Sequence, residues 1–327
     1  SWYERVKDKL IMLTIAMGHC NKPFKAIAER DKIVFLTGSA GIDAFWPVTM
    51  YTYGDYVPYS DNMPTYINWK LQTWKEGRPM RVAVILADTA FCWNSVIGLK
   101  DWCADNKVEY VAEEVIPMGA VDVSAQITKC MRYNPDIIFG VGTVEHHAPI
   151  ARDAKAAGYK GKLVMTTSAP ADVLLKIVGP TVAEGIDCMM GIRTAGADIE
   201  GTNNKGVQFG RELWTYAGRP GTMEDAVYLV GLGRILIIEE AFRLALDKVS
   251  PEELTRDNLM NYGFRQIRNF DTMGLNSKIS YPDDNHTGGT EIFITTITGG
   301  KLTAATPGGW MKVVDMKKYY EKWLQAH

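Results

Sequence analysis

The 327-residue chain lacks an excess of charge of either sign, a long apolar run and closely spaced cysteines. Its formal net charge of −2 gives no reason to expect a nucleic acid or an anionic membrane as a partner. No apolar run reaches the roughly 18 residues that a membrane span requires. The most apolar segment, 226–246, is interrupted by Arg234, Glu239 and Glu240, so the sequence argues against a direct membrane span.

The five cysteines form no CxxC pair, and an odd number cannot all be paired within one chain. This pattern leaves both the redox state and the cellular compartment open. Cys103 and Cys130 fall in predicted helices, and we interpret them as small buried apolar residues.

Apolar strands alternate with amphipathic helices between Arg81 and Thr167. The segments RVAVILAD, VEYVAEEVI, PDIIFGVG and KLVMTT have the length and composition of buried strands. Helices are predicted between them, at 95–106, 123–132 and 146–157. This alternation predicts a parallel sheet that is covered by helices on both faces.

Ligands of such sheets bind at the carboxyl ends of the strands. In this chain those ends are predicted at 88–93, 142–145 and 166–169. Any binding site of the central stretch is therefore expected at these three loops.

The flanking sequence predicts a second α/β unit. Residues 1–50 repeat the strand–helix–strand order, with LIMLTIAMG and KIVFLTGSAG as strands. Helices are predicted at 226–246 and 252–261, followed by antiparallel strands in KISY and TEIFITTITGGKL and a helix at 313–325. A chain that leaves one α/β lobe, builds another and returns is typical of hinged proteins that close around ligands.

The ordered series of these segments resembles the substrate-binding proteins of branched-chain amino acid ABC transporters. The resemblance covers most of the chain, from DKLIMLTIAMG through RVAVILADTAFCWNSVIGLKDW, DVSAQITKCMRYNPDIIFGVG and ARDAKAAGYKGKLVMTT to the late hairpin. It implies the type I periplasmic binding fold, in which two Rossmann-like lobes with parallel sheets are joined by a three-crossover hinge. By that topology, lobe 1 would comprise 1–60 and 193–275, and lobe 2 would comprise 61–192 and 276–327.

The resemblance also implies that an N-terminal strand–helix–strand is missing from this sequence. Members of the family begin before the point where this chain starts, and their first strand lies centrally in lobe 1. We therefore expect that roughly the first 60 or more residues of the natural lobe, and a signal peptide, precede Ser1. The family implies a periplasmic or extracytoplasmic location.

In the family the ligand lies between the lobes, and the resemblance transfers this site to eleven positions. Lobe 1 would hold a carboxylate with small-residue loops near helix N-termini, where anions are favoured. Lobe 2 would supply an aromatic wall and polar contacts. The transferred positions are Gly18, His19, Cys20, Ser39, Ala40 and Gly41 in lobe 1, and Phe91, Trp93, Thr143, Val144 and Thr167 in lobe 2.

Thr167 matches a position where amino-acid binders of the family carry an acidic residue that faces the ligand's ammonium. A threonine cannot offer that charge, and a buried ammonium needs a charged or well-bonded partner. Unless Glu145 or Asp88 takes over, we expect a small carboxylate without an α-ammonium, aromatic or otherwise apolar.

Three other patterns were considered as sites. Gly140 and Gly142 begin a dinucleotide fingerprint, but Glu145 occupies its third glycine position, so no nucleotide cofactor is expected. His146 and His147 are adjacent on a predicted helix and point about 100° apart, so we interpret them as a polar helix start that faces the cleft or solvent rather than as metal ligands. The tyrosines of 51–59 are interpreted as packing at the lobe boundary.

The sequence therefore predicts a non-enzymatic binding protein without cofactor or metal. Its expected partners are a small-molecule ligand, a carboxylate or amino acid, and a membrane ABC permease. Two alternatives stay open: a ligand-sensing receptor module of the same fold, and an α/β enzyme that uses a nucleotide.

Overall fold

The computed structural model describes residues 2–15, 20–38, 41–193, 204–223 and 225–326. Two sheets organise them. The smaller sheet has the parallel order β1–β2–β3. Its strands are β1 (Met12–Ile15), β2 (Val34–Thr37) and β3 (Thr52–Gly54).

The larger sheet has eight strands in the order β10–β9–β8–β7–β6–β4–β5, with β11 paired to β9. Its strands are β4 (Arg81–Ala87), β5 (Glu109–Ile116), β6 (Ile137–Gly142), β7 (Lys162–Thr167), β8 (Asp187–Met190), β9 (Glu291–Thr298), β10 (Lys301–Ala304) and β11 (Trp310–Lys312). Strands β4 to β8 pair in parallel, whereas β9 runs antiparallel to β8. The predicted parallel sheet of the central stretch is confirmed.

Fourteen α-helices connect and cover these sheets in the described part of the chain. They are α1 (Trp2–Val6), α2 (Asn21–Asp31), α3 (Ile42–Phe45), α4 (Asn62–Leu71), α5 (Ala90–Asn94), α6 (Leu99–Asp105), α7 (Ser124–Met131), α8 (Val144–Ala156), α9 (Ala171–Val178), α10 (Pro180–Ala183), α11 (Lys205–Tyr216), α12 (Ala226–Leu246), α13 (Arg256–Asn258) and α14 (Lys317–Ala326). Among the described residues, no helix is long and apolar enough to cross a membrane.

The apolar core is divided between the two sheets. The largest cluster surrounds the larger sheet, where every residue of β6 is buried, as a parallel strand covered on both faces requires. A second cluster joins Phe35 and Leu36 of β2 to Ile237 and Ala241 of α12. The short helix α3 follows β2 but packs its Ile42 and Phe45 into the largest cluster, so it links the two sheets.

Three predictions of secondary structure are wrong in detail. The helix predicted at 95–106 is shorter: only α6 (Leu99–Asp105) falls within it, because the chain turns between α5 and α6 and passes Gly98 with φ +75°. The segment 252–261 is a series of short helical turns around α13 instead of one helix. KISY forms only isolated bridges, Phe270 with Ile279 and Ser280 with Gly288, so the regular antiparallel pair consists of β9 and β10.

The three predicted crossover segments bond directly to one another. Ile192 and Asn276 form an antiparallel bridge, and the backbone N–H of Arg193 donates to Leu275 O at 2.9 Å. The Asn276 side chain donates from Nδ2 to Asp55 O at 2.8 Å. The chain segments that run between the two sheets thus form one bonded unit, which we call the hinge (Asp55, 192–193 and 275–276).

Candidate functional site

The carboxyl ends of β4, β6 and β7 lie side by side, because these strands neighbour one another in the larger sheet. Ser95 Oγ lies 3.1 Å from Thr167 Oγ1, which joins the loop after β4 to the end of β7. Phe91 is half-buried on α5, and its carbonyl accepts a hydrogen bond from Ser95 Oγ at 3.1 Å. The structure therefore brings Phe91 and Thr167 to one edge of this sheet.

Trp93 occupies the exposed side of α5. Its indole Nε1 donates to Asp88 Oδ1 at 2.9 Å, and 38% of the residue is exposed. The Asp88 carboxylate, one of the two acids considered as an ammonium partner, thus accepts one hydrogen bond from Trp93 and is exposed. Glu145, the other acid, is exposed on the first turn of α8.

Thr167 has an unusual backbone conformation at the end of β7. Its φ is +82°, and the side chain is almost completely buried. Positive φ is costly for a β-branched residue, and such strain is concentrated at functional sites. This feature supports a role for the end of β7 in ligand binding.

Thr143 caps α8 and contacts His146. The backbone N–H of Thr143 donates to His146 Nδ1 at 3.3 Å, and Thr143 Oγ1 lies 2.9 Å from the same nitrogen. Thr143 and Val144 are half-buried, so both keep part of their surface available.

The paired histidines do not face solvent, so that part of their interpretation is wrong. Both are buried, and His147 Nε2 donates to Thr166 O at 3.1 Å beneath the end of β7. Burial lowers the pKa of His147 to about 3, so its imidazole is neutral at pH 7. No group of three or more His, Cys, Asp or Glu side chains that could hold a metal occurs among the described residues.

The smaller sheet contributes the loops after β1 and β2. Gly18, His19, Ser39 and Ala40 lie outside the described residues. Cys20 is half-buried with a free thiol directly before α2. Asn21 begins α2, and its Oδ1 accepts a hydrogen bond of 2.6 Å from Thr37 Oγ1 at the end of β2.

Asn21 was not singled out from the sequence. It is 1% exposed, and its Nδ2 has no hydrogen-bond partner among the residues that the structure describes. A buried amide donor without an acceptor is costly and is explained when a ligand supplies the acceptor. Its placement at a helix start was readable from the sequence, but its burial was not.

Gly41 and Asn94 join the two sheets at this edge. A side chain on Gly41 would overlap Asn94 Cβ, so the backbone of the smaller sheet's loop lies directly against α5. Asn94 Nδ2 also donates to Asp43 Oδ1 at 3.0 Å. The carboxyl ends of the two sheets therefore face each other in contact. We call the space between them the cleft.

A buried ion pair underlies the loop after β2. Arg234 of α12 donates from Nε to Asp55 Oδ2 at 2.8 Å, and its Nη2 lies 2.7 Å from the same oxygen. Burial raises the pKa of Asp55, and Arg234 opposes that rise. A side chain on Gly38 would overlap both partners, so this hinge pair supports the backbone that leads into the predicted carboxylate loop.

Comparison with protein families gives one match over most of the chain. The family described as periplasmic binding protein matches residues 8–301. Among curated protein sequences, none matches this chain.

Solved structures with this fold include several ABC transporter components. One is a branched-chain amino acid ABC transporter from Thermus thermophilus with bound valine, at 18% identity and TM-score 0.83, covering 98% of this chain and 83% of that one. A second is a fatty acid ABC transporter substrate-binding protein from Thermomonospora curvata, at 16% identity and TM-score 0.76, covering 98% and 78%. A third is a leucine-binding protein from Thermotoga maritima, at 16% identity and TM-score 0.68, covering 97% and 83%.

Proposed function

The chain belongs to the periplasmic binding protein family, and from this premise we propose that it captures a small organic ligand in the cleft and delivers it to a membrane ABC permease. It would do so outside the cytoplasm. The family binds its substrates, so we assign no catalytic residues.

The observation that carries this proposal is the contact between the carboxyl ends of the two sheets. The Asn94 side chain lies directly against the backbone of Gly41 and donates a hydrogen bond to Asp43. The hinge holds the segments that connect the two sheets together. A ligand between the sheets would add contacts that exist only when these ends meet. Such differential contacts are what shift a two-state equilibrium towards the closed form.

We propose that the ligand is a small carboxylate, free or as part of an amino acid. The Nδ2 of Asn21 at the start of α2, which finds no acceptor in the described part of the chain, supports capture of an anion, together with the predicted loop positions Gly18, His19, Cys20, Ser39, Ala40 and Gly41. Phe91, Trp93, Thr143, Val144 and Thr167 would contact the rest of the ligand. Valine, leucine and fatty acids, named for the structural relatives, are all carboxylates.

Native mass spectrometry of gently purified protein tests this function. The expected result is an adduct of a small organic acid that is released, and can be identified, under denaturing conditions. Gly41→Ala should weaken binding of the identified acid at least about tenfold, because its side chain would hold Asn94 away.

Gly231→Ala is the matched control for this experiment. Gly231 lies in α12 with ordinary helical φ, and nothing lies within 4 Å of an added Cβ, so affinity should be unchanged. A nucleotide adduct, or equal affinity in the Gly41 and Gly231 variants, would contradict the proposal.

A further inference from the structure

A second cavity lies against the chain segment that follows Asp55 of the hinge. Its volume is about 260 Å³, and residues of α3 and its end, of 58–61, of 285–290 and of 312–320 line it. None of the eleven positions assigned to the cleft is among them. We call this space the side cavity, and it is separate from the predicted ligand site.

Both sheets contribute to the wall of the side cavity. The helix α3 follows β2 of the smaller sheet, whereas the segments 285–290 and 312–317 flank β9 and β11 of the larger sheet. A molecule that fills this space would therefore contact segments that belong to both sheets.

Asp61 is a buried carboxyl group in this wall. It is 7% exposed, and its Oδ1 accepts hydrogen bonds from the hydroxyls of Tyr320 and Ser60. Asp61 stands directly before α4, but its side chain does not cap that helix. In the described part of the chain no hydrogen bond reaches Oδ2. The carboxyl group thus keeps one oxygen free at the side cavity.

No cation among the described residues neutralises Asp61. Burial raises the pKa of Asp61 well above its ordinary value, and the carboxylate of Asp315 raises it further. Only the Ser60 hydroxyl opposes this rise. Asp55 of the hinge, by contrast, has Arg234 as its partner. A buried carboxyl group without a cation leaves a place for a positive charge supplied from outside the chain.

The rest of the wall suits an apolar body. Trp46 and Tyr320 supply aromatic rings, and Val313 and Met316 add aliphatic surface. The Lys317 ammonium lies 5.2 Å from the centre of the Trp46 ring, so this ring already attracts a cation. The volume falls just below the range of roughly 300–1,000 Å³ of ordinary ligand pockets, so only a small molecule fits.

We propose that the side cavity is a second binding site, which takes a small organic cation with an N–H donor and an apolar body. The ammonium of this ligand bonds to Asp61, and its body packs against Trp46. The site goes beyond the proposed function, since it lies outside the cleft and its ligand differs in charge from the proposed carboxylate. Because the ligand touches segments from both sheets, its binding favours the arrangement in which those segments meet.

Isothermal titration at pH 7 with a matched pair of probes tests this proposal. Benzylamine is a cation at this pH, and benzyl alcohol has the same skeleton without the charge. The wild-type protein should bind benzylamine at least about tenfold more tightly, because a charge-assisted hydrogen bond is stronger than a neutral one.

The Asp61→Asn variant removes the charge but keeps the size of the side chain and an acceptor for Tyr320. It should reduce the preference for the amine below about threefold. Asp284→Asn is the matched control, because Asp284 is an exposed acid at the rim of the same cavity and takes no part in the proposed bond. It should keep the preference, since exposed charges contribute little.

Hydrogen exchange of the wild-type protein locates the bound amine without any substitution. Benzylamine should slow exchange in 42–46 and 312–320, whereas benzyl alcohol at the same concentration should have a smaller effect. Slowed exchange confined to the cleft loops 88–93 and 142–145 would place the amine at the other site and overturn the proposal.

The outcomes separate this proposal from the proposed function. If benzylamine does not bind, binds no better than the alcohol, or keeps its advantage in the Asp61 variant, the second site is wrong while the function of the cleft stands. If native mass spectrometry recovers no small acid but benzylamine binds through Asp61, the proposed function fails and the second site stands.

Discussion

The hinge and the cleft treat buried polar groups in different ways. In the hinge, Asp55 Oδ2 is paired with Arg234, and the chain segments around them are bonded to one another. At the cleft, Asn21 Nδ2 has no hydrogen-bond partner among the described residues, and Thr167 keeps a strained backbone. The hinge pair is satisfied within the chain, whereas a group that binds a ligand keeps its capacity for it.

Removing one partner of the Asp55–Arg234 ion pair should have the largest effect on stability. Arg234→Met leaves Asp55 buried without a cation, and we expect the free energy of unfolding to fall by about 3–5 kcal/mol. Urea denaturation at pH 7 measures this loss. Adding Asp55→Asn to Arg234→Met should recover most of it, since the uncompensated charge is gone. An equal loss in the double variant would show that the pair does not act as a charge pair.

Acid should destabilise the folded protein through His147, which lies beneath the end of β7. Its folded pKa of about 3 lies below the ordinary value of 6.5, so the unfolded chain binds the proton more readily, and stability falls as the pH drops below 6.5. At pH 5 this group alone should cost about 2 kcal/mol. Urea denaturation of the wild type and His147→Gln between pH 7 and pH 5 measures the difference. Parallel pH profiles of the two proteins would contradict the assignment.

The contact across the cleft should be sensitive to added charge. Asn94→Asp places a carboxylate beside Asp43, whose pKa burial already raises, so the two sheet ends should separate. We expect affinity for the acid recovered by native mass spectrometry to fall about tenfold, or about 1.4 kcal/mol. Asn94→Ala should cause a smaller loss, because it removes the hydrogen bond without adding repulsion. Unchanged affinity in both variants would show that this contact does not contribute to closure.

The strained backbone at Thr167 should reverse the usual order of stability of its glycine and alanine variants. Ala is normally the more stable replacement, but at φ +82° a Cβ costs about 1–2 kcal/mol. Thr167→Gly should therefore be more stable than Thr167→Ala by about 1 kcal/mol, since neither keeps the bond to Ser95. Thermal or urea unfolding of the two variants tests this, and the ordinary order would show that the conformation is not strained.

The parallel sheet was predictable because continuous buried strands leave a strong local pattern. RVAVILAD, PDIIFGVG and KLVMTT became β4, β6 and β7 with nearly the expected bounds. The break at Gly98 was not predicted, because one glycine inside an amphipathic pattern is compatible with a continuous helix. KISY has the composition of a strand but finds only isolated partners, which depends on chain segments distant in sequence.

The sequence by itself determined the α/β class and the succession of strands and helices along the central stretch, because hydrophobic periodicity is a local property. It also predicted a binding edge at the carboxyl ends of these strands, which stays a prediction. It also located Phe91 and Thr167 at that edge. Only the tertiary structure decided which polar groups are partnered. Asp55 is paired because Arg234, 179 residues later in the chain, reaches its carboxylate across the fold. Asn21 Nδ2, by contrast, finds no acceptor among the described residues, and no local pattern in the sequence shows either outcome.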